Sequence, residues 1–176
     1  MEKEINIIKP DFLSLTTQQL SIGFSKTNTL FSNASGFLYK YQDKVFLITN
    51  WHNVSGQNPN TGEPLSNHGG MPDMFTTYLR LKNENGSSLL HKIFLYADED
   101  MTSPKWLVHP IHKENVNVLA IELETSDKFA YYSINEGDFD DSILPNIGDD
   151  CFVIGYPFED LRYIGLLSLT QYDNIT

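Results

Sequence analysis

The sequence predicts an all-β fold from three observations. Short runs rich in β-branched and aromatic residues recur between clusters of turn-forming residues, and helical periodicity is hard to find. The longest apolar stretches, 45–48 and 151–154, have the length of strands and fall far below the roughly 18 residues of a membrane span. With 176 residues, 40% of them hydrophobic, the chain is long enough to bury a core.

The strand candidates follow in order along the chain. Residues 35–40 and 44–49 are separated by Tyr41-Gln42-Asp43, a spacing suited to a β-hairpin. Asn85-Gly86 supplies the positive φ angles of a second tight turn. The remaining predicted strands are 77–82, 91–97, 105–109, 116–123, 151–156 and 164–171.

Two segments carry no strand pattern. Residues 55–73 are rich in Asn, Gly and Pro and predict a long loop, which is either a binding element or surface decoration. Residues 133–150 are acidic and polar and predict a connector between two units, with solvated carboxylates.

Charge and cysteine content restrict the class of protein. The net charge of −11 and the pI near 4.7 disfavour binding to nucleic acid or to an anionic membrane surface. The first residues lack the basic and apolar pattern of a secretory signal, which favours a cytoplasmic protein. The single cysteine, Cys151, allows no intrachain disulfide, fits a reducing compartment, and is expected to be a buried, inert thiol.

A histidine stands directly after one of the predicted strands. In Thr49-Asn50-Trp51-His52-Asn53-Val54 an imidazole is expected on the first turn of a short helix. Together with Ala34-Ser35-Gly36-Phe37 on the preceding strand, this segment resembles the N-terminal portion of bacterial-type, trypsin-like (chymotrypsin-fold) serine peptidases. Asn50-Trp51 replaces the usual pair of small residues before the histidine.

Two further segments extend the resemblance over nearly the whole chain. Residues 116–123 are similar to a strand of that family, with Asn117 in the place of its aspartate. Residues 147–158, which include Gly155-Tyr156-Pro157-Phe158, are similar to the segment that opens the family's second barrel, and 164–168 resemble the strand that follows.

The resemblance implies a fold and a site. It implies a six-stranded antiparallel trypsin-like barrel over residues 1–140, with an N-terminal extension, and the first strands of an incomplete second barrel over 141–176. It places His52 and Asn117 at catalytic positions and implies a peptide or protein substrate. The family's nucleophile lies in a Gly-x-Ser-Gly-Gly motif, which this sequence lacks. Ser35-Gly36 belongs to the opening strand and Ser55-Gly56 directly follows the histidine, so the chain as given is expected to be inactive.

His52 and Asn117 are expected to lie within hydrogen-bond reach or slightly beyond it. An asparagine amide that donates to the ring nitrogen would favour the wrong imidazole tautomer for base catalysis.

Two alternatives remain open. The chain is a non-catalytic module that binds peptides or proteins, or it is an all-β protein without peptidase ancestry. We expect no cofactor, and no metal at His109 and His112 because no further ligands have matching spacing. Exposed strand edges predict self-association.

Overall fold

The computed structural model describes residues 12–58, 61–64, 70–82, 86–139, 152–156 and 171–172. These residues form mostly antiparallel β-structure, which confirms the all-β prediction. Among them, no helix is both long and apolar enough to cross a membrane.

The regular elements of the described chain are short helices and ten strands. The helices are α1 (Phe12–Thr16), α2 (His52–Ser55) and a 3-10 helix at Ile134–Glu136. The strands are β1 (Thr17–Phe24), β2 (Thr29–Tyr41), β3 (Lys44–Thr49), β4 (Met74–Leu81), β5 (Ser88–Phe94), β6 (Trp106–Val108), β7 (Leu119–Glu122), β8 (Phe129–Ala130), β9 (Phe152–Val153) and β10 (Gln171–Tyr172).

One sheet contains the first eight of these strands. Its order is β5-β4-β1-β2-β3-β7-β6, every neighbouring pair is antiparallel, and β8 pairs with β4. The two ends of this order also meet, because Lys105 N–H donates to the carbonyl of Leu95 and Ala97 N–H donates to that of Ser103, both at 2.8 Å. Strands β9 and β10 form a separate antiparallel pair.

The first predicted hairpin is confirmed, and the second predicted turn, at Asn85-Gly86, is described only at Gly86. Strands β2 and β3 pair from Phe37↔Ile48 to Tyr41↔Lys44, and the turn between them places Gln42 at a φ of 54°. Strands β4 and β5 form the second hairpin, in which Gly86 has a φ of 80°. A positive φ is most easily adopted by a residue without Cβ, so glycine suits this turn.

The sequence analysis missed the first strand of the sheet. Strand β1 lies between β2 and β4, and its inward side chains Leu20 and Ile22 are only 0% and 4% exposed. Strand β2 also begins at Thr29 rather than at residue 35. Both segments are rich in Gln, Ser, Thr and Asn, so they show little of the apolar alternation that predicts a strand. Their strand conformation is stabilised by pairing with neighbouring strands.

The core is a single cluster of buried side chains, against which the partly buried Trp106 of β6 packs. It is formed by side chains from β1 to β5 and β7, from α2 and from the residues that directly follow β5 and β7: Leu20, Ile22, Leu38, Val45, Leu47, Val54, Phe75, Ile93, Leu95, Tyr96, Leu119, Ile121 and Leu123. In strand β3, every second side chain points into the core, namely Val45, Leu47 and Thr49.

Several predictions fall outside the described residues. These are the environment of Cys151, the acidic connector from residue 140 to 150 with the domain boundary at 140/141, and the segments 157–158 and 164–170. In the described residues, β9 lies within the strand predicted at 151–156, and the strand predicted at 164–171 overlaps β10 at Gln171.

Candidate functional site

The candidate site begins where β3 ends. The chain leaves the sheet at Thr49 and enters α2 at His52, which confirms the prediction of a histidine on the first turn of a short helix. Gly56 ends α2 in the left-handed conformation, with φ 64°, and its N–H donates to the carbonyl of His52 at 3.0 Å. Val54 is fully buried and anchors the helix to the core.

A buried chain of hydrogen bonds fixes α2 against the sheet. Asn53 Nδ2 donates to Thr49 Oγ1 at 2.9 Å, and that hydroxyl donates to the carbonyl of Ser35 on β2 at 2.8 Å. Asn53 and Thr49 are 7% and 5% exposed. The orientation of His52 is therefore tied to two strands through its neighbour in the sequence.

Strand register brings Asn117 to the histidine. Strand β3 pairs with β7 so that Thr49 faces Leu119. Continuing this antiparallel register by two residues places Asn117 opposite Trp51, next to His52. The pairing of two strands that are far apart in sequence thus assembles the site.

The turn that carries Asn117 is held by its own hydrogen bonds. His109 Nδ1 accepts the backbone N–H groups of Ile111 at 3.2 Å and His112 at 3.0 Å. Lys113 has a φ of 47°, and its N–H donates to the carbonyl of His109 at 3.0 Å. These contacts shape the loop between β6 and β7.

His52 and Asn117 make two hydrogen bonds to each other. The amide oxygen Oδ1 of Asn117 lies 3.1 Å from His52 Nδ1, and it also accepts the backbone N–H of His52 at 3.1 Å. The expected proximity of the two side chains is confirmed. Both side chains are half-buried.

This geometry selects one imidazole tautomer. The backbone N–H of His52 is always a donor, so it must face the oxygen of the Asn117 amide rather than its NH₂ group. An amide oxygen only accepts, and Nδ1 of His52 must therefore carry the proton in its hydrogen bond to Asn117 Oδ1. The lone pair of Nε2 is left as the free acceptor, which is the form required of a general base.

The sequence analysis considered an Asn117 NH₂ group that donates to the ring. In the structure the amide oxygen faces the ring instead, and the main-chain N–H of His52 donates to the same oxygen.

Asn50 is a site residue that the sequence analysis missed. Its Nδ2 donates to the backbone carbonyl of Asn117 at 3.0 Å and so joins the end of β3 to the loop before β7. The sequence did contain a signal for this role, because Asn50 stands where the resembling peptidases have a small residue.

The two serines weighed as nucleophiles are engaged elsewhere. Ser35 Oγ accepts the backbone N–H of Tyr156 at 2.7 Å, and Ser55 Oγ accepts that of Gln57 at 3.2 Å. Burial raises the pKa of the Tyr156 phenol, which reaches the carbonyl of Thr17 at 3.5 Å. Within the described part of the chain, the only hydrogen-bond partner of the His52 ring is Asn117.

His109 and His112 both lie in the turn between β6 and β7. Their rings stack with centroids 5.1 Å apart, and His109 Nδ1 is occupied by the turn. In the ranges that the structure describes, no group of three or more His, Cys, Asp or Glu side chains is placed to hold a metal ion.

Comparisons of the chain with protein-family models, with curated proteins and with solved structures found no match.

Proposed function

We propose that this chain is the histidine-bearing half of a trypsin-like serine peptidase domain and that it does not hydrolyse peptides on its own. In this proposal His52 is the general base and Asn117 positions it. The observation that carries the proposal is the hydrogen bond between His52 Nδ1 and Asn117 Oδ1, made by residues 65 positions apart.

The sheet supports the proposal through its order. Three of the segments that carry the resemblance to the peptidase family, 34–37, 49–54 and 116–123, lie on or directly next to β2, β3 and β7, which are adjacent strands. The hydrogen bonds of Lys105 and Ala97 join the two ends of the strand order, as a closed barrel requires. The described strand order contains seven strands, and the bridge between Tyr96 and Pro104 lies in the turn that leads from β5 to β6.

The chemistry expected of such a half-site is base catalysis. In a complete triad, the histidine takes the proton of a serine hydroxyl at Nε2 while a third residue holds the ring through Nδ1. Asn117 supplies the second of these functions. As a neutral amide it gives the protonated imidazole less electrostatic stabilisation than a carboxylate would.

Because the Asn117 amide is neutral, we expect a lower turnover than a triad with a carboxylate would give. Replacing the aspartate of a Ser-His-Asp triad by asparagine lowers turnover roughly 10⁴-fold, a loss attributed to the wrong tautomer. Since the present geometry holds the right tautomer, we expect any product that contains the nucleophile to lose less than this. The variant Asn117→Asp should then raise its activity.

A fluorophosphonate probe tests the proposal. Residues 1–176 should not be labelled, whereas a product that extends through a Gly-x-Ser-Gly segment of the same gene should be, and His52→Ala should abolish its labelling. Asn115→Ala, at an exposed position of the same turn, is the matched control and should leave labelling intact. Labelling of residues 1–176, or a gene that encodes no such segment after Thr176, would refute the proposal.

A second candidate is a non-catalytic module that binds a peptide or protein partner. The neutral Asn117 at the orienting position favours it, because a binding module has no need of a charged triad. Absence of probe labelling in the longest natural product, together with retained peptide binding, would decide for this candidate.

We also propose that the protein associates with a second copy of itself. Leu89, Leu90 and Phe94 of β5 are exposed, and this apolar surface favours packing against a second copy. Light scattering should show a dimer that Leu90→Lys dissociates, and a monomer at high concentration would contradict this.

We place the protein in the cytoplasm because its one cysteine cannot form an intrachain disulfide.

A further inference from the structure

His109 begins the turn that carries Asn117 to the candidate site. Its Nδ1 accepts two backbone N–H groups, that of Ile111 at 3.2 Å and that of His112 at 3.0 Å. Pro110 has no N–H group, so these are the first two main-chain donors after His109. Asn, Asp and Ser are the residues that usually accept such N–H groups in turns and caps. A histidine in this place gives the turn a group that titrates.

Nδ1 of His109 accepts these bonds only while the imidazole is neutral. A ring nitrogen that accepts a hydrogen bond carries no proton, so the proton of the neutral ring lies on Nε2. Protonation turns Nδ1 into a donor that faces two main-chain donors, and both hydrogen bonds are then lost. The ring is only half-buried, so it can take up this proton while the strands stay folded.

The charged groups of the turn do not replace the two lost bonds. The ring of His112 stacks on that of His109 with centroids 5.1 Å apart, so two protonated rings repel each other. Lys113 adds a further cation, and Glu114 is the carboxylate of the turn. In the described part of the chain, the ion pairs include neither imidazole. Protonation of His109 therefore loosens the turn.

The elements next to the turn bring one titratable group, the imidazole of His52. Strand β6 and residues 116–118 have no ionisable side chain. A protonated His52 ring still carries a proton on Nδ1 and still donates it to Asn117 Oδ1. The titration of His52 itself therefore leaves its contact with Asn117 in place, unlike the titration of His109.

Main-chain hydrogen bonds connect His109 to Asn117. The N–H of Lys113 donates to the carbonyl of His109 at 3.0 Å, and the N–H of Val116 donates to the carbonyl of Lys113 at 3.3 Å. The N–H of Val118 then donates to the carbonyl of Val116 at 2.8 Å and closes a three-residue turn around Asn117. The position of the Asn117 amide thus depends on the turn that the His109 ring holds.

We propose that His109 is a pH-sensitive positioning residue for the pair of His52 and Asn117. Neutral His109 holds the turn so that Asn117 Oδ1 meets both Nδ1 and the backbone N–H of His52 at 3.1 Å. Protonated His109 releases the turn and weakens both contacts in mildly acidic solution. Asn50 still binds the carbonyl of Asn117, so the amide loosens without leaving the site. The inference rests on the position given to Asn117 in the proposed function, but it requires no nucleophile.

Two variants of His109 test the proposal at about pH 8, where histidine rings are neutral. His109→Asn keeps an acceptor oxygen near the place of Nδ1 and cannot be protonated, whereas His109→Ala removes the acceptor. NMR of the full ¹⁵N-labelled chain should show the Nδ1–H form of His52 in the parent and in His109→Asn, and a mixture of tautomers in His109→Ala. The backbone N–H of His52 should exchange with solvent about threefold faster or more in His109→Ala.

A titration of the parent chain from about pH 8 to 5 tests the switch itself. The imidazole ¹⁵N signals of His109 report its protonation, and the backbone N–H signal of Ile111 should shift with the same midpoint. The exchange protection of the His52 N–H should fall over the same range. Both changes should be absent in His109→Asn. His112→Asn is the matched control and should retain them, because the His112 ring accepts neither of the two bonds.

Three results would each overturn the proposal. The first is an unchanged His52 tautomer and exchange rate in His109→Ala, and the second is an equal loss in His109→Ala and His109→Asn. The third is an Ile111 N–H signal that does not follow the protonation of His109. The fluorophosphonate experiment is independent of these outcomes, because NMR reads the position of Asn117 in a chain without a nucleophile.

Discussion

The amide oxygen of Asn117 joins the main chain and the ring of His52, accepting the backbone N–H and facing Nδ1 at 3.1 Å in both cases. The backbone donor orients the amide, and the amide in turn orients the proton of the ring. A residue that replaces a carboxylate in the resemblance to peptidases thereby keeps the ability to select a tautomer, although it lacks the charge.

Removing the amide should release the tautomer of His52. In Asn117→Ala we expect the ¹⁵N signals of the imidazole to move from a Nδ1–H form towards the mixture of tautomers found for a free ring. The lost hydrogen bonds should also cost about 1 kcal/mol in the free energy of unfolding. Asn115→Ala, an exposed site on the same turn, is the control and should change neither quantity. An unchanged Nδ1–H form in Asn117→Ala would contradict this assignment.

The buried link from Asn53 through Thr49 to Ser35 should contribute strongly to stability. Asn53→Ala leaves the Thr49 hydroxyl without its donor, and we expect a loss of about 1 to 3 kcal/mol in chemical denaturation. Because Thr49→Val breaks the same link, the double variant should be less destabilised than the sum of the two single variants. Additive losses would show that the two side chains are not coupled.

Gly36 should not tolerate a side chain. A Cβ at this position would lie 2.8 Å from the carbonyl oxygen of Ile48 on β3 and 2.9 Å from Leu47 Cδ1. Since a backbone atom cannot move aside without disturbing the β2–β3 pairing, Gly36→Ala should cost about 1 to 3 kcal/mol. Ser32→Ala, an exposed position of β2, should stay near the stability of the parent chain. Equal unfolding midpoints for the two variants would contradict the proposed close approach.

Stability should depend on His91 in mildly acidic solution. Burial lowers the pKa of His91 below its ordinary value of 6.5, and Glu124 partly opposes this effect. The unfolded chain therefore binds a proton at a higher pH than the folded chain does, so the free energy of unfolding should fall as pH decreases below 6.5 and level off below the folded pKa. His91→Gln should flatten this part of the profile, while His112→Gln, at an exposed position, should preserve it. A His91→Gln profile that matches the parent would refute the assignment.

Local sequence patterns were enough to predict the β2–β3 hairpin, which leads into the site. The alternation of Val45, Leu47 and Thr49 and the turn residues around Gln42 sufficed for the β2–β3 hairpin, because hairpin pairing joins residues that are close in sequence. The same patterns did not reveal β1. Its two glutamines and its serine lie in a strand whose stability comes from β2 and β4, and these neighbours are tertiary information.

The sequence by itself determined that this protein is an all-β chain with a histidine directly after one strand and an asparagine close to another strand that is distant in the sequence. Only the tertiary structure decided what the asparagine does. The direction of an amide depends on which donor it faces, and here that donor is the main-chain N–H of His52. Strand register between β3 and β7, a long-range property of the fold, brings this donor and the amide together.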